Sequence, residues 1–276
     1  MSQQLGRTAR WAAAQRARES ERPDRLFHDP LARLLAGDEG MEMLRLSDQY
    51  NPRREETAQF VAIRTRYFDD FLVRSVDGKN KQVVILAAGM DTRAFRLPIS
   101  AETSVYELDQ PEVLAFKEAV LRQNNISPPT RRIPVGVDLQ ADWTSALELA
   151  GFQRSEPSAW IIEGLLYYLE EPSVRRLLQG VSDCAAGGSS LAAELVSASY
   201  FRSPYTKSAL DMMATYGTPW RWGSDDPEDF FNEFGWAAMV SQPGDSHAHF
   251  GRWTSALISR EQREMPHAFL LSGRKK

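Results

Sequence analysis

The stretch from Val83 to Ala88 is a continuous apolar run, Val-Val-Ile-Leu-Ala-Ala, with no polar residue in alternate positions. That pattern suits a strand buried on both faces of a parallel sheet better than one with a wet side. Gly89 ends the run, and Asp91 or Thr92 can cap a following helix by accepting a free backbone N–H. A second short run, Val105 to Leu108, stops at Asp109. Strand, turn, helix, strand and acid follow in that order. In an open α/β sheet a ligand lies outside the carboxyl ends of the strands, so the Gly89 turn and the Asp109 carboxylate are expected to face the same ligand.

The glycine pattern narrows that ligand. A dinucleotide fingerprint needs G-x-G-x-x-G so that backbone can approach a pyrophosphate. Here the three positions hold Ala87, Gly89 and Thr92, and the carboxylate of Asp91 sits where a phosphate would be repelled. A nucleoside without phosphate fits better, since an acid ending the second strand can accept from both ribose hydroxyls. S-adenosylmethionine has a ribose and no phosphate. A plain structural turn is the alternative, and a nicotinamide-dependent oxidoreductase would need the missing glycines.

The rest of the chain supports an α/β reading. Residues 7 to 75 read as helical: Thr8–Ala17 is alanine-rich, Pro23 breaks it, and Asp29-Pro30 opens a short helix. Over Glu55–Val73 the residues Phe60, Ile63, Tyr67 and Phe71 recur at helical steps. From Lys81 strand and helix signals alternate, with strands expected at 82–87, 103–108, 131–137, 159–163, 190–196, 235–240 and 267–272. Helices are expected at 91–95, 111–124, 143–149 and 171–185. Only a Gly, Pro and His loop separates the last two strands, which predicts a hairpin with one antiparallel strand. Residues 1–80 are read as a helical cap on a core of 81–276. Between 197 and 234 Tyr200, Phe201, Tyr205, Tyr216, Trp220, Trp222, Phe230 and Phe231 crowd together, as in a lid over an apolar substrate or a flap packed on the core.

Composition sets bounds. At 276 residues the chain can bury one large core, and 33 basic against 37 acidic residues leave no electrostatic footprint for nucleic acid. The single cysteine, Cys184, excludes an internal disulfide and a multi-cysteine metal site and fits a reducing cytoplasm. The Arg-rich start lacks a signal-peptide apolar core, and no run approaches the roughly 20 apolar residues of a membrane span. His247 and His249 alternate, but no carboxylate or thiol partner stands at ligand spacing beyond Asp245, which argues against a metal.

Several short motifs occur in a fixed order: Ala17-Arg18-Glu19-Ser20, Asp29-Pro30-Leu31-Ala32, Arg64-Thr65-Arg66-Tyr67-Phe68-Asp69-Asp70, Ala88-Gly89-Met90-Asp91-Thr92-Arg93, Tyr106-Glu107-Leu108-Asp109-Gln110-Pro111, Val137-Asp138-Leu139, Glu163-Gly164-Leu165-Leu166-Tyr167-Tyr168-Leu169 and Met265-Pro266-His267-Ala268-Phe269. With them the sequence resembles the leucine carboxyl methyltransferase family, in particular its bacterial branch of S-adenosylmethionine-dependent O-methyltransferases linked to polyketide biosynthesis. The resemblance implies a class I methyltransferase, Rossmann-like fold: a seven-stranded sheet with a reversed last strand, preceded by helices and capped by an insertion before the sixth strand.

It also implies roles. Asp109 would hold the ribose hydroxyls, Asp138 and Leu139 the adenine, Arg64 the cofactor carboxylate, and Glu163 the amino group or the transfer cleft. Ala87 and Gly89 would form the turn under the methionine part. The family usually has Gly-Ala-Gly where this chain has Ala87-Ala88-Gly89, so the methyl at 87 narrows that approach and implies weaker cofactor binding. Tyr167 or Tyr168 would line an acceptor pocket; apart from the resemblance, the catalytic candidates are His247 or His249 as a general base on a phenol, and Tyr167. The implied reaction is O-methylation of a small aromatic acceptor. Alternatives are a methyl ester on a small acid or protein C-terminus, or a non-catalytic cofactor-binding scaffold. No membrane or nucleic-acid partner is expected, and a homodimer is left open.

Overall fold

The apolar run at the centre of the sequence is strand β1 (Gln82–Leu86), buried along its whole length. In the computed structural model, which describes residues 2–78, 81–215 and 217–276, it sits inside a seven-stranded sheet. The other strands are β2 (Ser104–Asp109), β3 (Arg131–Gly136), β4 (Ser158–Ile162), β5 (Ser190–Val196), β6 (Trp236–Ser241) and β7 (Ala268–Lys275), in the order β3-β2-β1-β4-β5-β7-β6. The first five pair in parallel, while β7 runs antiparallel to both β5 and β6. The seven-stranded α/β fold with its reversed strand is therefore as expected.

Alternation along each strand sorts the core into two layers. Val84 and Leu86 of β1, Trp160 and Ile162 of β4, and Leu191, Ala193 and Leu195 of β5 point to one layer. There they meet α6 (Trp143–Leu149) and the amphipathic α7 (Glu171–Cys184), whose Cys184 is buried. Val83 and Ile85, Ala159 and Ile161, and Ala192 point to the other. That layer is covered by α3 (Arg54–Gly78), through Ile63, Phe68 and Leu72, and by α4 (Arg93–Arg96), through Ala94. A third cluster joins α1 (Ser2–Ser20), α2 (Ala32–Tyr50) and α5 (Pro111–Gln123). The helix opened at Asp29-Pro30 is longer than expected, because the chain resumes helical geometry after a break at Gly37 (φ 58°). The segment before β6 holds α8 (Lys207–Thr215) and α9 (Pro227–Asn232). Tyr216 lies outside the described residues. Among the described residues no helix is long and apolar enough to cross a membrane.

Candidate functional site

A cavity of about 710 Å³ lies over the carboxyl ends of the parallel strands. Its floor is the turn after β1, residues 87–93, with Asp109 ending β2, Glu163 following β4 and Glu194 on β5. Thr8, Ala9 and Arg16 of α1, Phe60 and Arg64 of α3, and Tyr200, Met212 and Trp220 of the insertion complete the wall.

The β1 turn is tied to β2. Asp109 Oδ2 accepts the Gly89 N–H at 2.7 Å, Oδ1 accepts the Gln110 N–H at 2.7 Å, and the Ala88 N–H donates to the Leu108 carbonyl at 3.0 Å. Gly89 sits at φ +47° with α1 against it; a Cβ there would lie 2.9 Å from that of Ala9. Ala87 also has positive φ, 53°, a conformation that glycine takes freely and alanine takes with strain. Asp91 Oδ1 accepts the Arg93 N–H at 2.7 Å, whereas the Thr92 hydroxyl turns away to Asp29 at 2.7 Å. Burial pushes the Asp109 carboxyl above its ordinary pKa, partly offset by the two N–H groups. Each of its oxygens keeps lone-pair capacity for a further hydrogen bond.

Beside the turn lies a buried ion network. Arg64 reaches from α3 to Glu194 (Nη1 to Oε2, 3.0 Å) and to Glu163 (Nε to Oε1, 2.8 Å). The second contact lies off the hydrogen-bond axis, so it is Coulombic rather than directional. Arg93 contacts Glu163 (2.8 Å), Asp69 (2.8 Å) and Asp91, and Arg96 reaches Asp69 at 2.6 Å. Arg16 pairs with Asp29 at 2.9 Å. These pairs set five carboxylates (29, 69, 91, 163, 194) against four guanidinium groups (16, 64, 93, 96). Burial pushes the Glu194 carboxyl up, with Arg64 opposing. For Glu163 burial acts in the same sense but Arg93 and Arg64 outweigh it, leaving it below the ordinary value. Among the described residues no lysine lines the cavity.

An aromatic stack forms the opposite wall. Tyr167 lies on Trp220 with ring centroids 4.1 Å apart, and Tyr200 follows at 5.4 Å from Trp220. The Tyr167 hydroxyl is 3.5 Å from Glu194 Oε1. Burial and that carboxylate push its pKa far up, so Tyr167 stays a neutral phenol and is a poor general base.

Of the residues expected from sequence, Arg64, Ala87, Gly89, Asp109, Glu163 and Tyr167 all line this cavity. Asp138 and Leu139 do not: Asp138 is exposed and its Oδ1 accepts the Gln140 N–H at 2.9 Å, while Leu139 packs on the core edge. His247 and His249 also fall outside it. His247 is exposed and hydrogen-bonded to Ser241 Oγ (2.8 Å), and His249 Nδ1 accepts the Gly251 N–H (2.7 Å). The β6–β7 connection turns these two away and instead presents Gln242 and His267 to the cavity. Among the described residues no group of three His, Cys, Asp or Glu side chains is placed to hold a metal. Sequence reasoning missed Glu194 and Arg93 as site residues, and placed Asp91 at the turn only as a group that would repel a phosphate. Glu194 left one signal, a lone acid inside the apolar run Leu191-Ala-Ala-Glu-Leu-Val.

The model of the leucine carboxyl methyltransferase family matches residues 9–182. A relative from Parafrankia sp. (strain EAN1pec), provisionally named an S-adenosyl-L-methionine-dependent methyltransferase, is 43% identical over 194 residues. The match covers 69% of this chain and 63% of that protein, so the chain spans under two thirds of that relative's length. One with the same provisional name from Mycolicibacterium gilvum (strain PYR-GCK) is 39% identical over 228 residues, 79% of this chain and 76% of the relative. Among solved structures, a DUF574 family protein from Streptomyces avermitilis superposes with TM-score 0.60 at 15% identity, covering 96% of this chain and 97% of the other. A provisionally named methyltransferase from Thermobifida fusca YX gives 0.55 at 17% identity, covering 97% and 94%. At such identities these two speak for the fold alone. With the family match spanning 9–182 and relatives near 40% identity, the chain belongs to the leucine carboxyl methyltransferase family.

Proposed function

We propose that the protein transfers the methyl group of S-adenosylmethionine to the hydroxyl oxygen of a small aromatic acceptor: the S–CH3 bond breaks as the O–CH3 bond forms, S-adenosylhomocysteine is left and the hydroxyl proton is released. The observation that carries this reading is the shared cavity: a carboxylate at the tip of β2, hydrogen-bonded to the Gly89 turn, stands in the same space as an aromatic wall. Asp109 can accept from two ribose hydroxyls. Arg64 and Glu163 suit the carboxylate and ammonium of the methionine part, and a network with one more carboxylate than guanidinium favours a ligand that brings positive charge. The adenine role of Asp138 and Leu139 rests on the resemblance alone. We read 1–80 as a cap and 197–234 as a lid; cavity residues contributed by α1, α3 and the insertion support this.

The cofactor, when bound, supplies an electrophilic methyl group on a sulfonium. The chain's part is to align the acceptor oxygen at about 3 to 3.5 Å from that methyl and to exclude water, which can supply several kcal/mol. Tyr167, Tyr200 and Trp220 offer flat apolar surface for a ring. Incubation with methyl-labelled S-adenosylmethionine and a panel of phenols tests the reading, the expected product being a base-stable aryl methyl ether. Label found only in base-labile ester would favour the second reading, a carboxyl methyltransferase, for which the exposed Arg53 at the cavity rim would hold the acid. A polyketide origin of the acceptor and a cytoplasmic location belong to the same proposal.

A further inference from the structure

Two polar groups at the β6–β7 end of the cavity have no part in the reading above. Gln242 follows β6, lines the cavity and is 6% exposed. Its Nε2 donates to the Ile258 carbonyl at 2.8 Å, which fixes the amide's orientation, because the flipped amide would set oxygen against oxygen. Its Oε1 is buried and has no hydrogen-bond partner. His267 precedes β7, lines the same cavity and is also 6% exposed. Its Nε2 lies 3.1 Å from the Gln262 carbonyl. A carbonyl only accepts, so Nε2 bears a hydrogen, and in the singly protonated ring the lone pair is then on Nδ1. Stacking on Phe269 at 5.9 Å and a backbone bond to Ser197 Oγ at 2.9 Å hold the ring in place. Since Ser241 of β6 pairs with Leu270 of β7, both residues leave the same end of one ladder.

We propose that Gln242 Oε1 and Nδ1 of His267 form an acceptor pair that selects a ligand by its free hydroxyl hydrogens, so that the methyl acceptor is a hydroxylated ring rather than a carboxylate. A ligand with no hydrogen to give leaves the buried Gln242 oxygen unpaired, and such a site discriminates strongly against it. A carboxylate fares worse still: it has only lone pairs and sets a negative charge beside that oxygen. The cavity's guanidinium groups at 16, 93 and 96 are engaged by acids, and Arg64, paired with Glu194, is assigned above to the cofactor's own carboxylate, so none is left for an acidic acceptor. Arg53 is exposed, where an ion pair is weak.

The identity of the acceptor rests on the methyl-transfer reading, but the binding preference does not, and calorimetry separates them. The probes are 2,3-dihydroxynaphthalene, 2-methoxynaphthalene and 2-naphthoate, with S-adenosylhomocysteine titrated in parallel. The diol is expected to bind about tenfold tighter than the ether, with the naphthoate weakest. Gln242→Leu should weaken the diol about tenfold and leave the ether unchanged, and His267→Phe, which keeps the stack, should do the same. Equal losses for diol and ether would mean a structural role only and overturn the proposal, as would preference for the naphthoate or no binding of any probe. If Gln242→Leu fails to fold by circular dichroism, His267→Phe decides. Failure of S-adenosylhomocysteine to bind, with the diol preference intact, would strike the methyl-transfer reading and not this one.

Discussion

Replacing Ala87 by glycine should stabilise the protein, although it deletes a methyl group and inserts the residue that usually weakens a fold. Ala87 sits at φ 53°, where an L-residue with a Cβ is strained by about 1–2 kcal/mol. Glycine relieves that strain but loses more backbone entropy on folding, which costs back about 0.5–1 kcal/mol. The balance favours the variant by about 0.5–1 kcal/mol. With an unfolding entropy near 2.1 cal/mol/K per residue, a chain of this length changes stability by about 0.6 kcal/mol per degree, so the melting temperature should rise by about 1–2 °C. Scanning calorimetry of both proteins measures this directly. Ala87 also lines the cavity, so Ala87→Gly should tighten S-adenosylhomocysteine binding by removing the methyl from its wall. A lowered melting temperature would refute the strain assigned to this turn, and unchanged binding would refute the narrowing assigned to the methyl.

The ion network makes two further predictions. Arg64→Leu leaves Glu194 buried without its guanidinium partner and should cost about 3–5 kcal/mol in urea unfolding. Adding Glu194→Leu should recover part of that loss, with a coupling of about 1 kcal/mol or more, and strict additivity would show that the two do not interact. For Asp91, burial raises the carboxyl's pKa, but Arg93 and Lys117 outweigh it and hold the group at about 2, below its ordinary 3.8. A depressed folded-state pKa gives stability that is present above pH 4 and is lost as pH falls through 2, about 2 kcal/mol in all. Urea unfolding of Asp91→Asn and the parent at pH 5 and pH 2.5 should show a difference that shrinks in acid; a constant difference would contradict it.

Much of the β1–β2 unit was readable because it depends on local order: a doubly buried run, a turn glycine and an acid at the next strand's end follow one another along the chain. Arg64 was readable by its motif, but its partners were not. Glu194 and Arg64 are 130 residues apart, and only the sheet register turns Glu194 toward the α3 side. The same holds for the β6–β7 connection. The alternation of His247 and His249 would put both rings on one face only in an extended segment, and the chain there makes turns, with the Ala248 and His249 N–H groups both donating to the Asp245 carbonyl at 2.9 Å. That fold-back directs Gln242 and His267 to the cavity, an outcome set by tertiary packing and not by local pattern. The strain at Ala87 was legible only as a missing glycine; the positive φ that explains it is a property of the backbone.

The nucleoside site at the tips of β1 and β2 is tested most directly by calorimetric titration of S-adenosylhomocysteine into the parent protein and into Asp109→Ala. Saturable one-to-one binding to the parent, weakened at least tenfold by the substitution while the fold is retained by circular dichroism, is the predicted result. No binding to the parent, or equal binding to both, would contradict it.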